Sequence, residues 1–213
     1  MRDTTIIGRR FLIAGAGAAL IGAPSILRAS ASALPTPAQS EGPFYPVALP
    51  LDHDNDLVAV SGQEAQARGT IAHVSGRVRD LAGRPVAGAR VEIWQCDWQG
   101  VYLHPRDRGA NRRDAGFQGF GATESDAAGA YRFRTIRPVP YAGRTPHIHF
   151  RVETGGHRLT TQMYVAGEPG NAGDFLYRRL GEAAALVTVA LEPAPQIEPG
   201  ALAGTFDIVL GRG

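Results

Sequence analysis

The chain contains no lysine: all 22 basic residues are arginine, set against 20 acidic residues for a formal net charge of +2. The arginines are scattered without a basic run, so the electrostatic footprint of a nucleic-acid binder is missing. There is one cysteine, Cys96. No internal disulfide can form, and Cys96 reads as a small buried hydrophobe on a strand, not as a nucleophile. Internal repeats and low-complexity tracts are absent, and sustained apolar character is confined to one stretch near the N-terminus. With 44% hydrophobic residues, 27 Gly and 15 Pro in 213 residues, the composition is that of one turn-rich globular domain, neither disordered nor membrane-spanning.

That stretch begins at Arg9-Arg10-Phe11-Leu12, runs through Gly/Ala-rich sequence to Ile21, and ends in the small residues Ala29-Ser30-Ala31-Ser32-Ala33. The order is that of a bacterial export signal, and the paired arginines favour the twin-arginine route, by which proteins cross the membrane folded. Residues 1–33 are expected to be removed, giving a periplasmic or extracellular protein with no membrane association. Arg2, Arg9, Arg10 and Arg28 leave with Asp3, so the mature chain would carry about −1. The basic character of the full chain belongs largely to the signal.

Residues 34–70 are Pro-rich and polar without a sustained period, and read as an arm wrapping a domain that occupies residues 71–213. Strands are expected at His73–Asp80, Ala89–Asp97, Tyr131–Ile136, Ile148–Val152, Leu159–Val165, Leu186–Leu191 and Thr205–Leu210, separated by Gly, Pro and Asp clusters. Many short strands with such punctuation predict an all-β sandwich with long loops. One short helix is expected over Asp174–Leu180, with Phe175, Leu176 and Leu180 on a shared face. The long segment Arg106–Gly121 reads as an ordered loop bordering a site, because Phe117 and Phe120 need burial.

The sharpest local pattern is Arg144-Thr145-Pro146-His147-Ile148-His149-Phe150. On a strand, alternate side chains share a face, so His147 and His149 project together, with Cβ atoms about 7 Å apart, while Ile148 and Phe150 face the core. Two imidazoles on one face can converge on a metal ion. No acidic residue lies between Phe133 and Val152 to complete a set of two histidines and one carboxylate, whereas Tyr141 stands just upstream. A phenol has a pKa near 10 and becomes a good ligand at neutral pH only for a hard, highly charged ion, which points to Fe(III). Two tyrosinates and a hydroxide would balance its three charges. Tyr102, in Gly100-Val101-Tyr102-Leu103-His104, is the best-placed second tyrosine.

The ordered set Glu41-Gly42-Pro43-Phe44-Tyr45-Pro46, Trp94-Gln95-Cys96-Asp97, Gly100-Val101-Tyr102, Gly129 to Pro138, Tyr141 to Phe150 and Thr161-Gln162-Met163-Tyr164 resembles the intradiol ring-cleavage dioxygenases. The resemblance spans about Ser40 to Leu210. It implies a transthyretin-like β-sandwich and a mononuclear Fe(III) held by Tyr102, Tyr141, His147 and His149, closing around the ion inside the sandwich. It also implies that Tyr141 is the tyrosine that leaves the metal when substrate binds, that Arg144 stabilises negative charge developing on the ring, and that Gln162 lines the same pocket. The implied reaction opens catechol-type rings with O2 between the two hydroxyl-bearing carbons to give muconate-type diacids, and a homo-oligomer is compatible with the family. Tyr131 and Tyr164 read as strand-core tyrosines.

Two alternatives stand beside this one. The turn chemistry of Val78 to Ala89 suits a transthyretin-like binding module without catalysis equally well. A zinc hydrolase could be built on His147 and His149.

Overall fold

The computed structural model describes Met1 and residues 33–211. The export-signal expectation therefore falls, but for Met1 and Ala33, outside the described residues. Among the described residues no helix is long and apolar enough to cross a membrane.

The architecture is two mixed sheets packed face to face. The first contains β1 (Ile71–Asp80), β4 (Ala130–Ile136), β8 (Glu192–Pro193), β9 (Leu202–Thr205) and β10 (Ile208–Leu210). β1 runs antiparallel to β4 and parallel to both β9 and β10. The pairs Ala72 with Leu202 and Val78 with Ile208 keep one register, so β9 and β10 are a single strand interrupted at Phe206-Asp207. The cause is a close approach at Gly76, where a Cβ would lie 1.9 Å from the Phe206 carbonyl oxygen. There Phe206 N–H donates to Ser75 O (2.7 Å), the Asp207 carboxylate accepts from Arg77 N–H (2.8 Å), and the Tyr131 hydroxyl donates to Phe206 O. The expected strand Thr205–Leu210 is thus broken by its own side chain.

The second sheet has the order β3 (Phe120–Glu124), β2 (Arg90–Trp94), β5 (His147–Thr154), β6 (His157–Val165), β7 (Thr188–Val189). Here β3 corrects the loop expectation over Arg106–Gly121, since the Gly-rich sequence hides an edge strand that pairs Phe120 with Trp94. β2 stops at Trp94, three residues short of expectation, and β7 is short because Gly181–Leu186 forms a 3-10 turn first.

The main core lies between the sheets. Val74, Val78, Phe133 and Ile136 meet Val91, Ile93, Ile148, Phe150, Val152 and Met163. Phe150 sits among the rings of Tyr131, Phe133 and Phe206, with centroids 6.1, 6.5 and 4.9 Å away. Truncating such a ring to Ala costs about 3–5 kcal/mol.

Residues 34–70 form no strand of their own; Leu57 and Val58 enter the main core, and the segment is tied elsewhere by Thr36 N–H to Val209 O (2.9 Å) and Gln39 N–H to Thr160 O (2.8 Å). The helix, α1 (Phe175–Arg179), is capped by Asp174, whose carboxylate accepts from Leu176 and Tyr177 N–H. Its inward residues are Tyr177 and Leu180. Phe175 is 56% exposed, contrary to the expected face, because the buried cap Asp174 and the inward Tyr177 and Leu180 set the side of the helix that faces the protein.

Candidate metal centre

Strand alternation sends Ile148, Phe150 and Val152 into the sandwich core and His147, His149 and Arg151 to the opposite face of β5. The histidines are nevertheless buried, 1% exposed each, because the arm covers that face. The cluster therefore lies on the outer face of the second sheet and not inside the sandwich as expected. A second, smaller core of Trp94, Cys96, Tyr102 and Phe120, joined by Phe44, Tyr45 and Tyr141, packs around it.

Each donor has a local reason for its place. Tyr141 and Arg144 close a tight turn, with Arg144 N–H to Tyr141 O at 2.7 Å, made possible by positive φ at Ala142 (42°) and Gly143 (78°). That turn delivers both side chains beside His147. Tyr102 follows a loop organised by buried Asp97, which accepts from Gln99, Val101 and Asp114 N–H, and its own N–H donates to Asp107 Oδ2 (2.9 Å). The segment 106–121 is thus pinned to the loop that carries Tyr102. Phe44 from the arm stacks on Tyr102 at 4.8 Å and meets Tyr141 edge-on at 6.0 Å. Gly42, at φ 74°, passes so close that a Cβ would lie 3.4 Å from His149 Cε1.

The Nε2 atoms of His147 and His149 face each other at 3.2 Å. Two imidazoles binding one ion at about 2.1 Å each, with slightly more than a right angle between them, have this spacing. His147 Nδ1–H donates to Thr145 O (2.6 Å), leaving Nε2 with its lone pair. His149 is oriented differently, by the indole of Trp94 stacked at 4.8 Å and 8°. The ring centroids of Tyr102 and Tyr141 are 4.9 Å apart, Tyr141 to His147 is 5.5 Å and Tyr102 to His149 is 6.1 Å. The structure brings the four expected donors together.

Burial dominates the electrostatics. It pushes the His147 pKa down to about 4, with Arg144 adding to the effect, and His149 well below its ordinary value, with His147 and Arg144 adding. Both imidazoles are neutral and available as donors. Burial raises Tyr102 well above 10, with Cys96 and Tyr141 contributing; it raises Tyr141 as well, where the Tyr102 phenol and Arg144 pull the other way. The Tyr102 hydroxyl has no hydrogen-bond partner of ordinary geometry, although the Tyr141 phenol beside it holds its proton more firmly. An unsatisfied buried hydroxyl costs about 1–3 kcal/mol, a penalty that a bound cation replacing the proton would remove. Among the described residues no third His, Cys, Asp or Glu converges with His147 and His149, the pair on which the zinc-hydrolase alternative rests. The donor set fits a hard trivalent ion with phenolate and imidazole ligands.

Arg144 is held on two edges. Its Nε donates to Asp174 Oδ2 and its Nη2 to Gln162 Oε1, both at 2.7 Å. Gln162 is fully committed: its Nε2 donates to Ser40 O (3.1 Å), and its oxygen also accepts from Tyr164 Oη (3.1 Å). It fastens Arg144 to the arm. Tyr164 is fully buried but pairs across the strands with His147, so it lies on the site side of β6, while Tyr131 is a strand-core tyrosine. Sequence reasoning missed Asp174, Trp94 and the clasp in which Arg151 stacks on Tyr45 (4.0 Å) and both bind buried Glu92. Only an acid before a predicted helix hinted at the first.

A cleft of about 390 Å³ touches the cluster through Tyr102 and His104, its other walls including Val47, Pro50, Leu103 and Arg113. A larger one, about 500 Å³, lies across the sandwich on the first sheet's outer face and does not reach these donors.

A family model described as "Dioxygenase" matches residues 40–212. The protocatechuate 3,4-dioxygenase beta chain of Burkholderia cepacia is 39% identical over 171 residues, covering 76% of this chain and 72% of that one. The catechol 1,2-dioxygenase of Acinetobacter baylyi is 33% identical over 164 residues. The chain belongs to the intradiol dioxygenase family. It spans about half the length of that catechol dioxygenase, 50%, over 67% of its own length. Among solved structures, the dioxygenase domain of a dioxygenase and carbohydrate-binding fusion from Streptomyces sp. SirexAA-E superposes with a TM-score of 0.64 at 32% identity, covering 84% of this chain and 99% of that domain. An Acinetobacter catechol 1,2-dioxygenase inhibited by bound mercury gives 0.65 at 28% identity, covering 83% of this chain and 63% of that one. The relatives named here are dioxygenases, which favours the enzymatic reading over the binding-module alternative.

Proposed function

We propose that this intradiol dioxygenase binds one Fe(III) through Tyr102, Tyr141, His147 and His149 and cleaves catechol-type rings with O2 to muconate-type diacids. The observation that carries the reading is the buried convergence of two neutral imidazole nitrogens, 3.2 Å apart, with two phenols, one of which lacks a hydrogen-bond partner. When bound, ferric iron supplies the Lewis acidity that favours phenolate and catecholate and draws electron density from the ring. The protein's part is to place charge and protons. His147 and His149 serve as neutral ligands that need lose no proton before their Nε2 atoms bind. Tyr141, less buried than Tyr102, would hold the ion as a tyrosinate, and its Oη in that form could take a proton from a catechol hydroxyl and leave as the neutral phenol. Arg144, fixed beside it, offers positive charge to an anionic path in a site from which the arm excludes water. The apolar cleft beside Tyr102 suits a ring with substituents. We further propose export by the twin-arginine route, on the strength of Arg9-Arg10 and the apolar run after them.

The test is oxygen uptake by the iron-loaded protein across substituted catechols, with product spectra. One O2 consumed per ring, with a muconate-type product, is expected. No uptake with any catechol, or cleavage outside the two hydroxyl-bearing carbons, would overturn the proposal.

A further inference from the structure

Asp174 is a heavily used carboxylate near the site, with four donors on it. Its side chain is fully buried, and that of Arg144 is 11% exposed. Oδ1 accepts from Leu176 and Tyr177 N–H, each at 3.0 Å, and Oδ2 accepts from Arg144 Nε (2.7 Å) and Thr145 N–H (3.1 Å). Four donors on two oxygens require an ionised, acceptor-only group. Burial alone would raise its pKa, but Arg144 and the N–H groups of Tyr177 and Thr145 outweigh that and hold it below the ordinary value.

Capping α1 does not need a carboxylate, because serine, threonine or asparagine caps a helix comparably well. Nor is a buried ion pair a reliable source of stability, since desolvation offsets the attraction. What the carboxylate adds is orientation. Guanidinium is a planar fork, and with Nε bound to Asp174 and Nη2 to Gln162 its plane is fixed on two edges. Asp174 and Gln162 thus take Nε and Nη2, and the Tyr141 phenol also interacts with the guanidinium, which is held beside a proposed iron ligand. The floor beneath is braced as well: Thr145 Oγ1 donates to Asn171 Oδ1 (2.8 Å), and Asn171 Nδ2 donates to Val165 O (2.9 Å).

We infer that Asp174 is a positioning residue for ring cleavage, fixing the plane of Arg144 beside Tyr141 so that its guanidinium offers charge to the reacting ring; this role rests on the proposed activity. It acts through Arg144 and touches neither substrate nor metal.

The test is a double-mutant cycle with Asp174→Ser, Arg144→Ala and the double variant, each assayed for kcat, KM, iron content and melting temperature. Asp174→Ser retains a helix cap but cannot reach Arg144. It should keep iron and KM while kcat falls about 10- to 100-fold. The double variant should be no slower than Arg144→Ala alone, because both changes remove one device. Should Asp174→Ser fail to fold, Asp174→Asn keeps the volume yet turns an amide NH2 toward donors on one side or the other, and the same kcat loss is expected. Additive losses, or full turnover in the Asp174 variants beside a slow Arg144→Ala, would overturn the positioning role and leave the proposed function standing. An inactive wild-type protein would sink both.

Discussion

The outer faces of the two sheets carry the same kinds of side chain and put them to different uses. On the first, His73 Nε2 bonds Glu198 (3.0 Å), and Arg134 holds Glu198 through Nε and Nη2 (2.8 and 2.6 Å) and Asp56 through Nη1 (3.1 Å to each oxygen). Every charge in this set has an opposite partner, and all remain in reach of water, with side chains 20–39% exposed. On the second, His147 and His149 are buried with no carboxylate hydrogen-bonded to them, and Trp94 Nε1, Tyr102 Oη and His149 Nδ1 have no hydrogen-bond partner. A satisfied network holds chain segments together; a buried, unsatisfied one is kept for something it binds.

The comparison breaks most sharply at Tyr102. Tyr102→Phe should abolish iron binding and turnover while stabilising the metal-free fold by about 1–3 kcal/mol, since it deletes an unsatisfied buried hydroxyl. Metal analysis and denaturant titration of the apo-protein check both halves, and a less stable apo-variant would mean that the hydroxyl is satisfied after all. On the other face, Arg134→Met should lower stability by about 1–2 kcal/mol by stranding Asp56 and Glu198, and leave iron content unchanged. Loss of iron from that variant would show that the first sheet's network reaches the metal centre.

Acid should separate the faces more gently. A group whose folded pKa is depressed contributes stability above its unfolded pKa and loses it as pH falls through the folded value. For the metal-free protein, the buried His147, at about 4 against an ordinary 6.5, places one loss between pH 6.5 and 4. Glu198, held at about 2 by Arg134 against an ordinary 4.5, places another between pH 4.5 and 2. Urea midpoints measured against pH should fall across both windows, and Glu198→Gln should flatten only the lower one.

Much of this was legible in the sequence because strand periodicity is strict. His147-Ile148-His149-Phe150 declares two faces, and the sandwich, most of its strands and the histidine pair follow from such patterns; Tyr102 and Tyr141, on loops, are reached through the charge that Fe(III) requires and the family resemblance. What stayed hidden depends on contacts between distant residues. Nothing local says that residues 34–70 would cover the outer face and bury it, so the cluster was placed inside the sandwich. β3 was obscured by its glycines, β9 and β10 by a side chain replacing a backbone bond, and Phe175 by a helix whose inward side is set by its buried cap and Tyr177. Asp174 reads locally as a cap, and its second oxygen shows its use only when Arg144, thirty residues earlier in the chain, is beside it.

The central claim is that two tyrosinates and two imidazoles share one ferric ion. Visible absorption of the iron-loaded protein tests it most directly, because tyrosinate donating charge into Fe(III) absorbs visible light. A coloured protein whose band shifts on anaerobic addition of catechol is expected. A fully iron-loaded but colourless protein would contradict tyrosine ligation and the account built on it.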